Sequence, residues 1–106
     1  MLNHVHRITV PSVDKAGQPL SPELRHGVLD HALRVMSRCF GGATAVNGQG
    51  AWVNGEGKLV CEPVTVVSSY ADHADTGAMR RLAESVKLLA AQEAVMVEVD
   101  GQADFI

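Results

Sequence analysis

Thr44-Ala45-Val46-Asn47-Gly48-Gln49-Gly50-Ala51-Trp52-Val53-Asn54-Gly55-Glu56-Gly57-Lys58-Leu59-Val60-Cys61-Glu62-Pro63-Val64-Thr65-Val66 runs through the middle of the chain and sets its topology. Two β-rich runs, 43–53 and 58–70, flank Asn54-Gly55-Glu56-Gly57, a composition that tolerates the positive φ angles of a tight turn. The stretch therefore predicts a β-hairpin in the middle of the chain. With no bulge, Trp52 faces Leu59 and Gly50 faces Cys61. Gly48 and Gly50 predict either a bulge or a close backbone approach. Pro63 has no N–H for a ladder, so its part of the strand belongs at an edge, as in a hairpin tip that projects beyond the sheet.

Helical patterns lie on both sides of this hairpin. Before it, Ser21-Pro22-Glu23 is a helix start: a capping hydroxyl, a proline at the first helical position and an acid in the first turn. Leu24, Val28, Ala32, Met36 and Phe40 follow at four-residue spacing, which predicts an amphipathic helix over 22–40. Gly41-Gly42 ends it. After the hairpin, residues 72–77 read as a loop with Asp75 as an N-cap. Met79, Leu82, Ala83, Val86, Leu89 and Ala90 then fall on one helical face.

Strand patterns close both ends. His4-Val5-His6-Arg7-Ile8-Thr9-Val10 alternates and stops at Pro11, and residues 11–20 have the Pro/Gly content of a loop. Val95, Val97 and Val99 alternate with Met96 and Glu98. Asp100-Gly101 is a second turn signal, predicting a short fifth strand over 102–106. The order β-α-β-β-α-β predicts a single α+β domain, a ferredoxin-like sandwich over residues 1–106. Its four-stranded antiparallel sheet carries both helices on one face.

Composition bounds the function. The chain of 106 residues is 46% hydrophobic but only 4% aromatic, so its core is aliphatic. Net charge is −3 and the basic residues are scattered, so the basic stripe of a nucleic-acid or anionic-membrane surface is missing. No apolar run approaches the roughly 18 residues of a membrane helix, and the N-terminus lacks the apolar core of a secretory signal. Cys39 and Cys61 fit neither a CxxC pattern nor a disulfide framework, which predicts reduced thiols and a cytoplasmic protein.

Few residues stand out as chemical candidates. Gly41-Gly42-Ala43-Thr44, Gly48-Gln49-Gly50-Ala51-Trp52 and Glu62 form a GGxT, GxGxW, E pattern. The pattern resembles a set of small uncharacterised bacterial ferredoxin-like proteins, often found with mobile elements. It covers residues 40–67, and the resemblance implies the fold and no catalytic residue. The glycines supply backbone freedom or room for a ligand; they lack the third glycine and following helix of a dinucleotide fingerprint. Trp52, the sole tryptophan, reads as an interface or packing anchor. Glu62 reads as a solvated edge carboxylate.

His4 and His6 share a strand face, but nothing local completes a metal site, so neither a metal nor a cofactor is called for. The aromatic and basic strands of an RNA-recognition motif, the CxxC of a metallochaperone and the arginine loop of an acylphosphatase are all missing. These absences predict a non-enzymatic homo-oligomeric module, a dimer or larger. It would bind a small ligand or a protein partner through Thr44, Gly48, Gly50, Trp52 and Glu62, with the helix-free sheet face as its self-contact. The alternative is a small enzyme with a site between subunits, using Glu62, His73 or the N-terminal histidines with Thr44.

Overall fold

Seven elements run in the order β1 (His4–Val10), α1 (Pro22–Phe40), β2 (Thr44–Val53), β3 (Leu59–Ala71), α2 (Thr76–Leu89), β4 (Met96–Val99) and β5 (Gln102–Phe105). The computed structural model describes residues 1–106. The sheet order is β2-β3-β1-β4-β5 and every neighbouring pair is antiparallel. This is the ferredoxin-like sandwich with one added edge strand.

The helix ends follow their caps. The Ser21 hydroxyl accepts the Leu24 N–H at 3.2 Å, and Gly41 takes the left-handed conformation, φ 91°, to end α1. Asp75 caps α2 by accepting the Ala78 N–H at 2.9 Å. Val28, Ala32, Met36 and Phe40 of α1 pack with Met79, Leu82, Ala83 and Val86 of α2 over Ile8, Val10, Val67 and Val97 of the sheet. Leu24 and Leu89 share those helical patterns but lie outside the core, at 39% and 45% exposure.

The central hairpin differs from its predicted register by one residue. Trp52 pairs with Val60 and Gly50 with Glu62, rather than with Leu59 and Cys61. The cause is a three-residue loop. The Gly57 N–H donates to the Asn54 carbonyl, Gly57 adopts φ 77°, and the Asn54 N–H returns to the Lys58 carbonyl at 2.9 Å. The Asn54 side chain holds the Glu56 and Lys58 N–H groups. This is a turn closed by one left-handed glycine, which adds a residue to the loop.

No bulge interrupts β2, whose pairing runs unbroken from Thr44 to Val53. Neither predicted role of its glycines holds: there is no bulge, and what comes close at Gly50 is a side chain rather than another backbone. A Cβ there would come within 3.3 Å of Val64 Cγ1. Residues 59–64 of β3 pair with β2 alone, because β1 reaches only as far as the Val10–Thr65 pair. Pro63 lies in this one-sided tip, so its missing N–H interrupts no second ladder.

Candidate functional site

Antiparallel pairing sorts the side chains onto two faces. His6, Ile8, Val10, Thr65, Val67, Ser69 and Val97 face the helices. Val46, Trp52, Val66, Tyr70, Met96 and Phe105 belong to the other face, which no helix covers. Trp52, Tyr70 and Phe105 are exposed there. Arg7 and Glu98, paired across β1 and β4, form a 2.9 Å ion pair among them.

Trp52 and Glu62 are diagonal neighbours at the hairpin tip, a placement that puts backbones about 7–8 Å apart. Both line a cavity of about 360 Å³ with Asp14, Lys15, Gln92 and Glu93. Glu62 also lines a smaller cavity of about 120 Å³ with Thr9, Val64, Met96 and Phe105. Its carboxylate therefore stands between the two. Glu62 Oε2 is buried and accepts no hydrogen bond. A desolvated carboxylate oxygen without a partner is costly, and it is the kind of group that a ligand donor or cation satisfies.

Long-range hydrogen bonds build the far wall of this cavity. The Ser12 hydroxyl donates to the Pro63 carbonyl at 2.5 Å, and the Lys15 N–H to the Ala91 carbonyl at 2.9 Å. Gln92 Nε2 donates to the Val13 carbonyl. The loop after β1 is thereby fastened beside the hairpin tip. Three acids, Asp14, Glu62 and Glu93, then face a single Lys15 in the larger cavity. This balance favours a cationic ligand group.

The other candidates lie elsewhere. Thr44 is at the opposite end of β2, eight residues and about 27 Å from Trp52. It lines a separate cavity of about 510 Å³ with Gly41, Gly42, Ser68 and Tyr70. Gly48 and Gly50 lie between the two ends, opposite Val64 and Glu62. His4 and His6 are on the helix-covered face of β1, opposite Ala71 and Ser69, and His73 is in the loop before α2. His4 Nδ1 pairs with Asp100 at 2.7 Å and His73 Nδ1 with Asp72 at 2.8 Å. One chain thus assembles Glu62 with Trp52, but joins neither to Thr44 nor to the histidines. No group of three His, Cys, Asp or Glu side chains is placed to hold a metal ion. Both cysteines are free and exposed.

Sequence reasoning missed Tyr70, Gln92, Glu93 and the loop residues Asp14 and Lys15. For Tyr70 a signal existed: alternation from Val64 through Val66 and Ser68 puts it on the helix-free face. Glu62, read as a solvated edge carboxylate, instead has its Oε2 shut away from solvent.

Together these features define a ferredoxin-like α+β domain with a carboxylate-lined cavity at its hairpin tip. No family model matches the chain, and no curated protein matches it in sequence. Among solved structures, the chain is similar to a phage SAM lyase in complex with S-methyl-5′-thioadenosine. That match has a TM-score of 0.71 at 19% identity and covers 97% of this chain and 88% of the other. A phage SAM lyase in the apo state matches with a TM-score of 0.65 at 21% identity, covering 97% and 87%. These likenesses corroborate the fold. They also overturn the expectation of a non-enzymatic module, and with it the leaning against an enzyme: the structures matching nearly the whole chain are those of an enzyme.

Proposed function

We propose that this chain is a small cytoplasmic enzyme acting on an adenosyl sulfonium compound of the S-adenosylmethionine type. Its site centres on Glu62 and Trp52. The observation that carries the reading is the buried, unpartnered Glu62 Oε2 at the wall shared by two cavities. The likeness to phage SAM lyases supports it, because one of those lyases holds S-methyl-5′-thioadenosine.

The residues suit such a substrate. A sulfonium is a fixed cation, and the cavity carries Asp14, Glu62 and Glu93 against one Lys15. The Trp52 indole, about half exposed, offers a face for a nucleoside base or for the cation itself. When a C–S bond of the sulfonium breaks, its electron pair stays on sulfur, which leaves as a neutral thioether, while the carbon gains a new bond, either from the substrate's own carboxylate oxygen or as a C=C bond formed when a proton leaves the neighbouring carbon. The protein therefore has no leaving-group charge to neutralise. Its task is to hold the cation and any departing proton near a carboxylate, and Glu62 is placed for that.

The site is completed by a second copy of the chain. Trp52, Tyr70, Met96 and Phe105 give the helix-free face an apolar character that self-association covers. Association also offers a route for Thr44 of one copy to approach Glu62 of another. Incubation with S-adenosylmethionine, followed by chromatography, tests the reading. Wild type should release S-methyl-5′-thioadenosine, and Glu62→Gln should slow that release at least 100-fold while keeping the wild-type melting temperature. No product from wild type, together with no binding by calorimetry at millimolar ligand, overturns it.

A further inference from the structure

His6 sits away from this site and ties three elements together. It is on β1, fully buried, with Phe40 at the end of α1 stacked on its ring at 3.9 Å between centroids and 19° between planes. Its Nε2 accepts the backbone N–H of Asp75 at 3.0 Å. Asp75 is the residue that starts α2: its carboxylate accepts the Ala78 N–H and its carbonyl accepts the Met79 N–H at 3.3 Å. Because Nε2 accepts, the ring proton of neutral His6 is on Nδ1, and Nδ1 is buried without a partner.

A second proton on this ring has nowhere favourable to go. It must enter at Nε2, which turns the acceptor into a donor facing the Asp75 N–H, and the hydrogen bond is lost. We propose that the His6–Asp75 contact is an acid-released latch, which pins residues 72–76 and the first turn of α2 to the sheet while His6 is neutral and frees them when it is protonated. The first turn of α2 also walls a cavity of about 340 Å³ with Arg80, Val97, Val99 and Gln102. Release of the latch opens that wall.

The charges around the ring divide. Asp100, on the β4–β5 turn, and Asp75 favour the imidazolium, whereas His73 on the 72–75 loop and His4 on β1 oppose it. Burial is the largest influence and holds the His6 imidazole below its ordinary value. The sign of the linkage follows. The stabilisation from neutral His6 is complete above the unfolded value of about 6.5 and is lost as pH falls from there through the lowered folded value.

Amide hydrogen exchange tests the latch on the whole chain, with rates divided by the intrinsic rate at each pH. Between pH 7.5 and 5.0, protection at Asp75, Ala78 and Met79 should fall about tenfold or more, since each pH unit of differential protonation is a factor of ten. The amides of Val66 and Val67 in the sheet centre should hold. His6→Gln keeps an acceptor and removes the titration, so its protection should not change with pH. His4→Asn and His73→Asn should still show the loss. An equal loss in His6→Gln, or no loss in wild type, overturns the proposal. If His6→Gln does not fold, ¹⁵N titration of the wild-type ring decides: His6 must gain its proton at the pH where the Asp75 amide loses protection. Either event without the other refutes the latch.

Discussion

Leu82→Ala should remove a central contact of the core, and the structure sets the size of the effect. Leu82 is 2% exposed, between α2 and the sheet, with Ala83 and Val86 fully buried beside it. Truncation removes three carbon atoms, worth about 0.8 kcal/mol each in transfer, or about 2.4 kcal/mol together. A cavity term adds to this, because sheet and helix collapse only partly, bringing the cost to about 3–4 kcal/mol. In a domain of this size each kcal/mol moves the midpoint by about 4 °C, so thermal unfolding followed by circular dichroism should drop by about 12–16 °C. Leu89 occupies the same helical stripe but is 45% exposed. Leu89→Ala should therefore cost less than about 1 kcal/mol, roughly 4 °C. Equal shifts for the two variants, or a shift under about 4 °C for Leu82→Ala, would refute this placement of the core.

Other substitutions probe the tip and the surface. Gly50→Val should displace Val64 and Glu62, since even a Cβ at residue 50 meets Val64 Cγ1 at 3.3 Å, whereas Gly48→Ala, with 3.9 Å to Val64 Cγ2, should be tolerated; melting temperatures of the two variants make the comparison. Cys39 and Cys61 are exposed, and both should react with a thiol reagent in the native protein; protection of either before unfolding contradicts that placement. The His4 side chain and the Val5 N–H hold the Asp100 carboxyl below the usual carboxylate range. The stabilisation carried by the Asp100 carboxylate should therefore be complete above the unfolded value of about 3.9 and be lost as pH falls from there through the lowered folded value, which carboxyl NMR titration reads directly.

Much of the fold was legible because local signals agreed with the global arrangement. Ser21-Pro22-Glu23 and Gly41 marked both ends of α1, and the Asn54–Gly57 and Asp100-Gly101 turns marked the hairpins. The one-residue register error came from Gly57, because composition does not say whether such a turn closes in two residues or three. Trp52 and Glu62 were legible as candidates, but not as a pair in a cavity wall. Their surroundings depend on Ser12 with Pro63 and Gln92 with Val13, contacts across 51 and 79 residues that no local pattern announces. The proposed activity was illegible for a related reason. A single carboxylate loses its solvent through tertiary packing, and that leaves no spacing motif in the chain.

Trp52 is the only tryptophan, so intrinsic fluorescence reads the proposed site without a label. The most direct measurement is therefore a fluorescence titration of wild type and Glu62→Gln with S-adenosylmethionine and with S-methyl-5′-thioadenosine. Wild type should show a saturable change in Trp52 emission with both ligands. In Glu62→Gln, binding of the cationic ligand should weaken at least tenfold and binding of the neutral thioether much less. Emission that stays unchanged to millimolar concentrations of both ligands, or equal binding of the cation by the two proteins, would contradict the proposed site.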